Sequence, residues 1–215
     1  MLVQSPTKRD RTRNSLLVAV QELLLDPELG TLSVPQVISR AGVSQGTFYN
    51  YFDSLGDAID AVSTLILVEH ARVLDQVTTG AADFPEIISR SARQTMMLVA
   101  FRPDVGRLQF DSGLPVDRFI GGLRAHFHQD LVHGIEAGSL SVSDAQVASS
   151  VYAGALIGSC LDIHRGHLSV DAIPAVAHQL LRLLGVSTRK ADRLTSAPQE
   201  FAPWRPLPLS SIQES

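Results

Sequence analysis

The chain has 215 residues, enough for one large or two small domains with hydrophobic cores, and its formal net charge is -4. A negative charge argues weakly against a protein that binds nucleic acid, because most such domains carry a basic face. The single cysteine, Cys160, excludes a disulfide framework and is typical of a reducing compartment. We find no secretory signal and no long uncharged apolar run, so we expect a cytoplasmic protein that does not interact with a membrane.

Four basic residues are concentrated near the N-terminus, at the start of the first predicted helix. A helical stripe of apolar residues predicts that this helix runs from about residue 10 to residue 25. We interpret the basic segment as an arm that contacts DNA phosphates or the minor groove, with a solvated tail as the alternative. The four residues are Lys8, Arg9, Arg11 and Arg13.

Three helix starts follow in close succession between residues 31 and 57. Ser33, Ser44 and Ser54 each occupy a position where an N-cap is expected, since a serine hydroxyl can accept a hydrogen bond from a free amide of the first turn. Gln36 stands where it can complete a capping box with Ser33. The pattern therefore predicts that three helices begin close together in this segment.

A turn at Gly42 joins the first two of these helices. Glycine can adopt the left-handed conformation that ends a helix, and two short helices joined in this way form a helix-turn-helix, here at about residues 33–52. Polar side chains of types that read bases and phosphates would face outward from the second helix, which favours DNA as a partner over a plain helical hairpin. These outward-facing residues are Gln45, Thr47, Tyr49 and Asn50, with Gly46 beside them.

The same stretch resembles the DNA-binding signature of the TetR family of transcriptional regulators. The matching residues are Ser33, Val34, Val37, Ile38, Ala41, Gly42, Val43, Ser44, Gly46, Thr47, Phe48, Tyr49, Tyr51 and Phe52. The resemblance implies an all-α homodimer, in which an N-terminal three-helix helix-turn-helix domain binds DNA and a C-terminal helical domain binds a ligand and dimerises. In one position the chain departs from the family pattern, because Leu55 replaces a lysine that meets phosphate.

The resemblance also assigns roles to individual residues. Gln45, with Gly46 and Tyr49 beside it, matches the family's base readers, whereas the family's phosphate contacts match Thr31, Ser44, Thr47 and Asn50. The predicted DNA-binding set is Lys8, Arg9, Arg11, Arg13, Thr31, Ser33, Ser44, Gln45, Gly46, Thr47, Tyr49 and Asn50.

Beyond residue 54 the apolar spacing is helical, without sustained strand-like alternation. We expect residues 1–53 to form the DNA-binding domain, 54–187 to form the ligand-binding and dimerisation domain, and 188–215 to be an irregular Pro-rich tail. In this tail we expect Phe201 and Trp204 to fold back onto the surface. The predicted helices of the second domain span residues 54–78, 84–101, 105–111, 116–137, 144–163 and 171–184.

The helix predicted from residue 144 is rich in small residues, which let another helix approach closely. The helix after it offers a second apolar face, and two such helices suit a symmetric dimer. For each residue taken singly, internal packing is the better explanation, but the resemblance to the TetR family favours a four-helix dimer interface for the pair. The predicted dimer interface comprises Ala153, Gly154, Gly158, Val176, Leu180 and Leu184.

Aromatic and methionine side chains, with few polar groups among them, recur in the helices between residues 84 and 137. This composition is typical of small-molecule sites, so we expect a small, largely hydrophobic effector, either aromatic or acyl-like. The predicted ligand-pocket residues are Thr95, Met96, Phe101, Phe110, Phe119, Leu123 and Phe127.

Catalytic and metal-binding patterns are weak or missing in the sequence. His126, Asp130 and His133 share one helical face, but this spacing alone is a poor indicator of a metal site. We therefore expect no enzymatic activity, no cofactor and no bound metal. The resemblance to the TetR family implies a repressor that binds a palindromic operator in double-stranded DNA as a dimer and is released by a small-molecule effector.

Two alternatives to the repressor come from other classes of protein. One is a helical small-molecule or metal-binding protein with a degenerate DNA-binding domain, suggested by Leu55 and by the acidic net charge. The other, a helical-bundle enzyme, is remote because no catalytic constellation supports it.

Overall fold

The computed structural model describes residues 7–114 and 116–211, and it leaves out the side chains of residues 116–120, 123, 125 and 126. Within these ranges the secondary structure is entirely helical, as the sequence predicts. The helices are α1 Lys8–Leu24, α2 Val34–Ala41, α3 Gln45–Tyr49, α4 Leu55–Thr78, α5 Phe84–Phe101, α6 Pro103–Phe110, α7 Val116–Glu136, α8 Ala145–His164, α9 Ile173–Leu183 and α10 Thr188–Ser196, and a 3-10 turn at Val170–Ala172 precedes α9.

Two compact units share the described chain. The first contains the residues up to Val68 together with Arg107–Leu114 and the chain from Arg205 onward, and the second contains Glu69–Gly106 and the chain from 116 to Trp204. The helix α4 passes from one unit into the other. The predicted boundary between residues 53 and 54 stays a prediction.

In the first unit, α1 packs against α2, and α2 packs against α3. Leu16, Leu17 and Val20 of α1 are fully buried, as are Val37 of α2 and Phe48 of α3. Burying an aliphatic or aromatic side chain contributes about 1.5–3 kcal/mol, so this small cluster is the main force that holds the three helices together. The apolar stripes of the sequence point toward this core.

In the second unit, α5 lies against α7, α8, α9 and α10. Its N-terminus is capped by Asp83, whose carboxylate accepts a hydrogen bond from the Glu86 amide at 3.1 Å. Ile88, Ala92 and Met96 of α5 are buried at the spacing of one helical face. Helix α5 is thus the central helix of the second unit.

Helix α8 is an exception to the expectation that no stretch of the sequence could span a membrane. By length and composition alone it is long and apolar enough to cross one, with a mean hydropathy of 1.2 over the most apolar window. In the structure α8 packs against α5, α7 and α9, and a core helix of a bundle has the same composition.

The prediction of an irregular tail from residue 188 is wrong for its first part. Residues Thr188–Ser196 form α10, which begins at Ser187, whose hydroxyl accepts a hydrogen bond from the Lys190 amide. Burial of Ala191 and Thr195 and an ion pair of 2.7 Å between Lys190 and Asp83 hold the helix in place. The tail's polar, Pro-rich composition concealed this helix because its stabilising contacts come from outside the segment.

Residues 197–211, which we call the C-terminal strap, lack regular secondary structure but are bonded to the helices. In the second unit, the side-chain amide of Gln94 donates to the Ala202 carbonyl at 2.9 Å and accepts from the Ala202 amide at 3.0 Å. In the first unit, Gln21 pairs with Leu209 in the same way, at 2.9 and 2.7 Å. Both glutamines are buried, so each replaces the water that the strap backbone would otherwise bind.

The aromatic side chains of the strap do fold back, and one of them is deeply inserted. Trp204 is almost completely buried, and its ring centroid lies 6.1 Å from that of His70. Phe201 meets Phe101 edge to face at 5.3 Å. Trp204 is thus a core residue of the second unit and not a surface contact.

Candidate DNA-binding surface and ligand cavity

The turn between α2 and α3 has the geometry of a helix-turn-helix. Gly42 ends α2 in the left-handed conformation, with φ 66° and ψ 35°, and its amide bonds back to the carbonyls of Ile38 and Ser39. Ser44 then caps α3, since its hydroxyl accepts a hydrogen bond from the Thr47 amide at 3.2 Å. Both local predictions for this turn are confirmed.

The two other predicted caps differ from each other. Ser54 behaves as predicted, because its hydroxyl accepts from the Asp57 amide at 3.1 Å. Ser33 is the N-cap residue of α2, but its hydroxyl donates to the side-chain oxygen of Gln36 at 2.6 Å and makes no hydrogen bond to a backbone amide. The predicted capping box at Ser33 is therefore wrong, since the two side chains bond to each other.

One face of α3 is buried and the other is open. Phe48 is fully buried and packs edge to face on Tyr49 at 5.4 Å, while Tyr49 itself is 47% exposed. Gln45, Gly46 and Asn50 are also exposed. The open face consequently presents an amide, a phenol and a glycine backbone, the groups that the sequence assigned to base and phosphate recognition.

Gly46 has no structural reason to be glycine within the unit. A Cβ atom built on it would meet only the Ser44 hydroxyl, at 4.0 Å, which is an ordinary contact. Glycine is also a poor helix former, costing about 1 kcal/mol relative to alanine. A partner that approaches the backbone of α3 closely would explain the residue, and DNA is such a partner.

The phosphate-contact candidates around α3 differ in their exposure to solvent. Ser44 and Thr31 are exposed, whereas Thr47 and Ser33 are half-buried. The hydroxyls of Ser44 and Thr47 lie 2.9 Å apart, so each orients the other. Their assignment to DNA contacts stays a prediction.

The basic N-terminal segment is a helix and not an arm. Thr7 caps α1 and forms a capping box with Asp10, so Lys8, Arg9 and Arg11 project from the first turns of a helix. All three are exposed. The predicted arm is therefore wrong in conformation, and the Thr-x-x-Asp pattern at residues 7–10 was the signal that could have shown it.

Arg13 differs from the other three basic residues. Its guanidinium lies 5.5 Å from the ring centroid of Phe52, a cation-π contact within the unit. This contact orients Arg13 along the domain surface near the end of the helix-turn-helix. A role in DNA binding stays a prediction for all four basic residues.

The second unit contains an apolar cavity between α4, α5, α7 and α8. It has about 490 Å³ of space not filled by atoms, part of it open to solvent. Leu74, Ile88, Ala92 and Leu156 form its apolar walls. An apolar lining with few polar groups is the character of small-molecule sites in proteins.

A pair of stacked aromatic rings and a few polar groups complete the lining. Phe127 and Tyr152 lie parallel, with centroids 3.8 Å apart and an interplanar angle of 6°. Asp130, Ser91 and Thr95 are polar residues of the lining. Burial, reinforced by the Asp130 carboxylate, raises the pKa of Tyr152, so the phenol stays protonated in the physiological range.

The hydroxyl of Thr95 belongs to a buried hydrogen-bonded chain. It donates to the Ser91 carbonyl at 2.8 Å and lies 3.0 Å from Nε2 of His70. Because the hydroxyl proton is directed to Ser91, the His70 nitrogen is assigned as the donor in the second bond. This chain fixes the Thr95 oxygen at the cavity wall.

The predicted pocket residues are only partly brought together. Thr95 and Phe127 line the cavity, whereas Met96 is buried in the core and Phe101 faces Phe201. Phe110 belongs to the first compact unit. The side chains of Phe119 and Leu123 lie outside the described residues. Sequence reasoning missed Asp130 and Tyr152 as pocket groups, because the helical pattern does not show which face of α7 and α8 turns inward.

The residues predicted for the dimer interface divide into two groups. Ala153, Leu180 and Leu184 are buried within the protomer, so these three are wrongly placed on an outer face. Gly154 and Gly158 are exposed, with no atom within 4 Å of an added Cβ, and Val176 is half-buried. On α8 the exposed side chains Val147, Val151 and Leu161 continue the line of the two glycines.

Among the described residues, no three His, Cys, Asp or Glu side chains are arranged to hold a metal ion. His133 packs its ring near Phe84, at 6.1 Å between centroids, and Asp130 lines the cavity. The side chain of His126, the third residue of the weak metal pattern, lies outside the description.

A helix-turn-helix on one compact unit and an apolar cavity in another define a ligand-responsive transcriptional regulator. A family model described as tetracyclin repressor-like, C-terminal domain, matches residues 83–197. The chain belongs to the TetR family of transcriptional regulators, a family without enzymatic activity.

A curated relative agrees with this assignment. The chain is 28% identical over 115 residues to the uncharacterized HTH-type transcriptional regulator YvdT of Bacillus subtilis, an alignment that spans 52% of this chain and 57% of YvdT. The chain thus aligns with little more than half the length of this curated relative.

Solved structures extend the similarity to most of the chain. The structure of RolR in complex with resorcinol has a TM-score of 0.71 and 25% identity, and covers 90% of this chain and 97% of RolR. The structure of reduced NemR from E. coli has a TM-score of 0.59 at 20% identity, covers 80% of this chain and 97% of NemR, and supports the fold alone.

Proposed function

We propose that this regulator represses transcription by binding a palindromic operator as a homodimer, with α3 in the major groove. The exposed face of α3 carries the proposal, because Gln45, Tyr49 and Asn50 stand beside a glycine that the fold itself does not require. An amide side chain such as that of Gln45 reads adenine in the major groove. The exposed Arg11 supplies charge for the DNA backbone.

Selection of bound sequences from a random DNA library tests the operator. The purified wild-type protein is expected to enrich a palindrome, with half-sites about one helical turn apart. Enrichment of no sequence at all would favour the alternative of a ligand-binding protein with a degenerate DNA-binding domain. The selection is needed because Leu55, at the start of α4, replaces the lysine with which the family contacts phosphate.

Two variants separate the proposed roles on this surface. Gln45→Ala is expected to relax the preference at one base pair of each half-site, at a cost of about 1–3 kcal/mol. Arg11→Ala is expected to weaken binding to all sequences alike and to lower the salt slope by about one. Uniform weakening by both variants would contradict the role given to Gln45.

The effector that we infer is a small, largely hydrophobic molecule bound in the cavity of the second unit, and an aromatic ring with a hydroxyl group suits it best. The parallel rings of Phe127 and Tyr152 give a flat apolar wall, and the Asp130 carboxylate and Thr95 hydroxyl supply acceptors. RolR, whose structure resembles this chain, has been solved with resorcinol, a dihydroxybenzene. We infer the same chemical class here.

The uninterrupted helix α4 supports a coupling between effector binding and DNA binding. Leu74, near the end of α4, lines the cavity, and the same helix begins at Leu55, directly after the helix-turn-helix. An effector can release the protein from its operator only if it binds the DNA-free state more tightly than the DNA-bound state. An intracellular location follows from the proposed role in transcription.

Resorcinol and 1,3-dimethoxybenzene form a matched pair for this test, because the second compound has no hydroxyl donor. Resorcinol is expected to raise the melting temperature of the wild-type protein and to release the selected operator in a fluorescence anisotropy assay. Asp130→Asn is expected to weaken resorcinol binding without weakening operator binding. Equal affinity for the two compounds would contradict the hydroxyl requirement, while the operator result would stand.

A further inference from the structure

A second cleft lies within the same compact unit, between the helices and the C-terminal strap. It has about 1000 Å³ of space not filled by atoms, part of it open to solvent. Its walls come from the end of α4, the outer face of α5, the last turn of α10 and strap residues 197–203. No residue of this cleft lines the apolar cavity proposed for the effector.

The cleft contains a buried positive charge. Arg93 of α5 is only 8% exposed, and its single described hydrogen bond runs from Nη1 to the Leu194 carbonyl at 3.3 Å. Among the described residues no carboxylate forms an ion pair with Arg93. Burial lowers the pKa of Arg93, which is the sign of a charge removed from water without an opposite charge beside it.

Arg90, one turn before Arg93 on α5, does have an opposite charge beside it. Arg90 is paired with Glu86, with 2.5 Å between the guanidinium and the carboxylate, and it also donates to the Val77 and Thr79 carbonyls. Glu86 further accepts a hydrogen bond from the Ala82 amide at 3.0 Å. The charges of this pair cancel. The other carboxylate in the lining, that of Glu200, is exposed to solvent, so the buried part of the cleft has one uncompensated positive charge, that of Arg93.

The wall of the same cleft contains a hydrogen-bond acceptor without a partner, in the side chain of Gln199. The side-chain nitrogen of Gln199 donates to the Arg90 carbonyl at 2.9 Å, which fixes the orientation of the amide. Its oxygen, Oε1, is buried and has no hydrogen-bond partner. A buried acceptor without a partner costs about 1–3 kcal/mol, so a ligand that donates a hydrogen bond would be favoured here.

We propose that this cleft is a second ligand site, for a small monocarboxylate that carries a hydroxyl or amino group. Its carboxylate meets the guanidinium of Arg93, which can bind a carboxylate through two parallel hydrogen bonds. Its hydroxyl or amino group donates to Oε1 of Gln199. A monoanion suits the single uncompensated charge better than a phosphate dianion, which would bring excess negative charge close to Glu86.

Binding in this cleft would also act on the strap. Gln199 and Ala202 belong both to the strap and to the lining of the cleft, and Trp204 follows directly. Since the chain has a single tryptophan, its fluorescence reports on this segment alone. A ligand that joins Arg93 to Gln199 is expected to change the Trp204 signal.

Mandelate is a suitable probe, and two related compounds serve as its controls. Phenylacetate lacks only the hydroxyl group, and methyl mandelate lacks the charge. We expect mandelate to bind about tenfold more tightly than methyl mandelate and about fivefold more tightly than phenylacetate, measured by calorimetry and by Trp204 fluorescence. Equal affinity for all three compounds, or no binding of mandelate, would overturn the proposal.

Variants identify the site and exclude the effector cavity. Arg93→Met is expected to lower the affinity for mandelate at least tenfold, whereas the exposed control Arg189→Met should leave it unchanged. Loss of mandelate binding in Asp130→Asn but not in Arg93→Met would place the probe in the effector cavity and overturn the inference. The effector and operator assays do not depend on Arg93, so this site and the proposed function can fail separately.

The variant Gln199→Met keeps the test decisive if Arg93→Met does not fold. Gln199 is half-buried on the strap, so its replacement should be tolerated. We expect it to abolish the fivefold preference for mandelate over phenylacetate while phenylacetate binds as before. If the preference survived, Gln199 would not accept a hydrogen bond from the hydroxyl group of the ligand and the proposed site would be wrong.

Discussion

Replacing Gln94 by leucine tests how the C-terminal strap is held. The side-chain amide of Gln94 makes two hydrogen bonds with the backbone of Ala202, at 2.9 and 3.0 Å, and both residues are buried. Leucine has a similar size but makes neither bond. The Ala202 amide and carbonyl would then lose their partners while the apolar packing of position 94 is largely kept.

The expected cost follows from these two bonds. Each contributes a net stabilisation of about 1 kcal/mol, and a buried group left without a partner costs about 1–3 kcal/mol. If the strap stays in place, we expect Gln94→Leu to lower the free energy of unfolding by about 2–3 kcal/mol, since small movements let water reach part of the exposed backbone. If the strap detaches instead, Trp204 should lose its protection from solvent.

Urea denaturation followed by circular dichroism measures the first effect, and quenching of Trp204 fluorescence by iodide measures the second. The matched control is Gln179→Leu, because Gln179 is exposed on α9 and its replacement should change stability by no more than about 0.5 kcal/mol. If Gln94→Leu had the midpoint and the quenching of the control variant, the hydrogen bonds to Ala202 would not hold the strap and our reasoning would be refuted.

Three further changes test local features of the structure. Gly42→Ala is expected to destabilise the protein by about 1–2 kcal/mol in urea denaturation, because alanine must then adopt a φ of 66°, and a change within 0.5 kcal/mol would contradict the left-handed turn. Gly154→Glu is expected to dissociate a dimer, measured by analytical ultracentrifugation, since a Cβ atom added there meets no atom of its own protomer within 4 Å and the charge would fall on the proposed interface; an unchanged mass would place the interface elsewhere. Burial raises the pKa of the Cys160 thiol to about 12, so thiol reagents should react with the native protein only after unfolding, and rapid labelling at pH 8 would contradict this burial.

The features that the sequence determined are those set by near neighbours along the chain. Ser44 caps α3 through a hydroxyl that bonds an amide three residues away, and Gly42 ends α2 through a backbone conformation that other residues avoid. Such interactions need no distant partner, so the residue types and their spacing predict them. The helix-turn-helix and its exposed polar face were predictable for this reason.

Helical periodicity gave less information about which face of a helix turns inward. Leu180 and Leu184 were expected at a dimer interface but are buried within the protomer, while the exposed apolar line on α8 includes Val147 and Val151. A helix that is apolar on two sides has two possible inner faces. Only its neighbours in the fold, here α5 and α7 beside α8, decide between them.

The strap and the second cleft depended entirely on tertiary structure. Gln94 bonds a residue 108 positions away, and Gln21 bonds one that is 188 positions away. No periodic pattern indicates such pairs, because the polar side chain of a glutamine suits the surface of a helix as well as a buried bond. Backbone groups of the strap need partners, but only the folded chain brings Gln94 and Gln21 to them, and only the fold places Arg93 in the same cleft as Gln199.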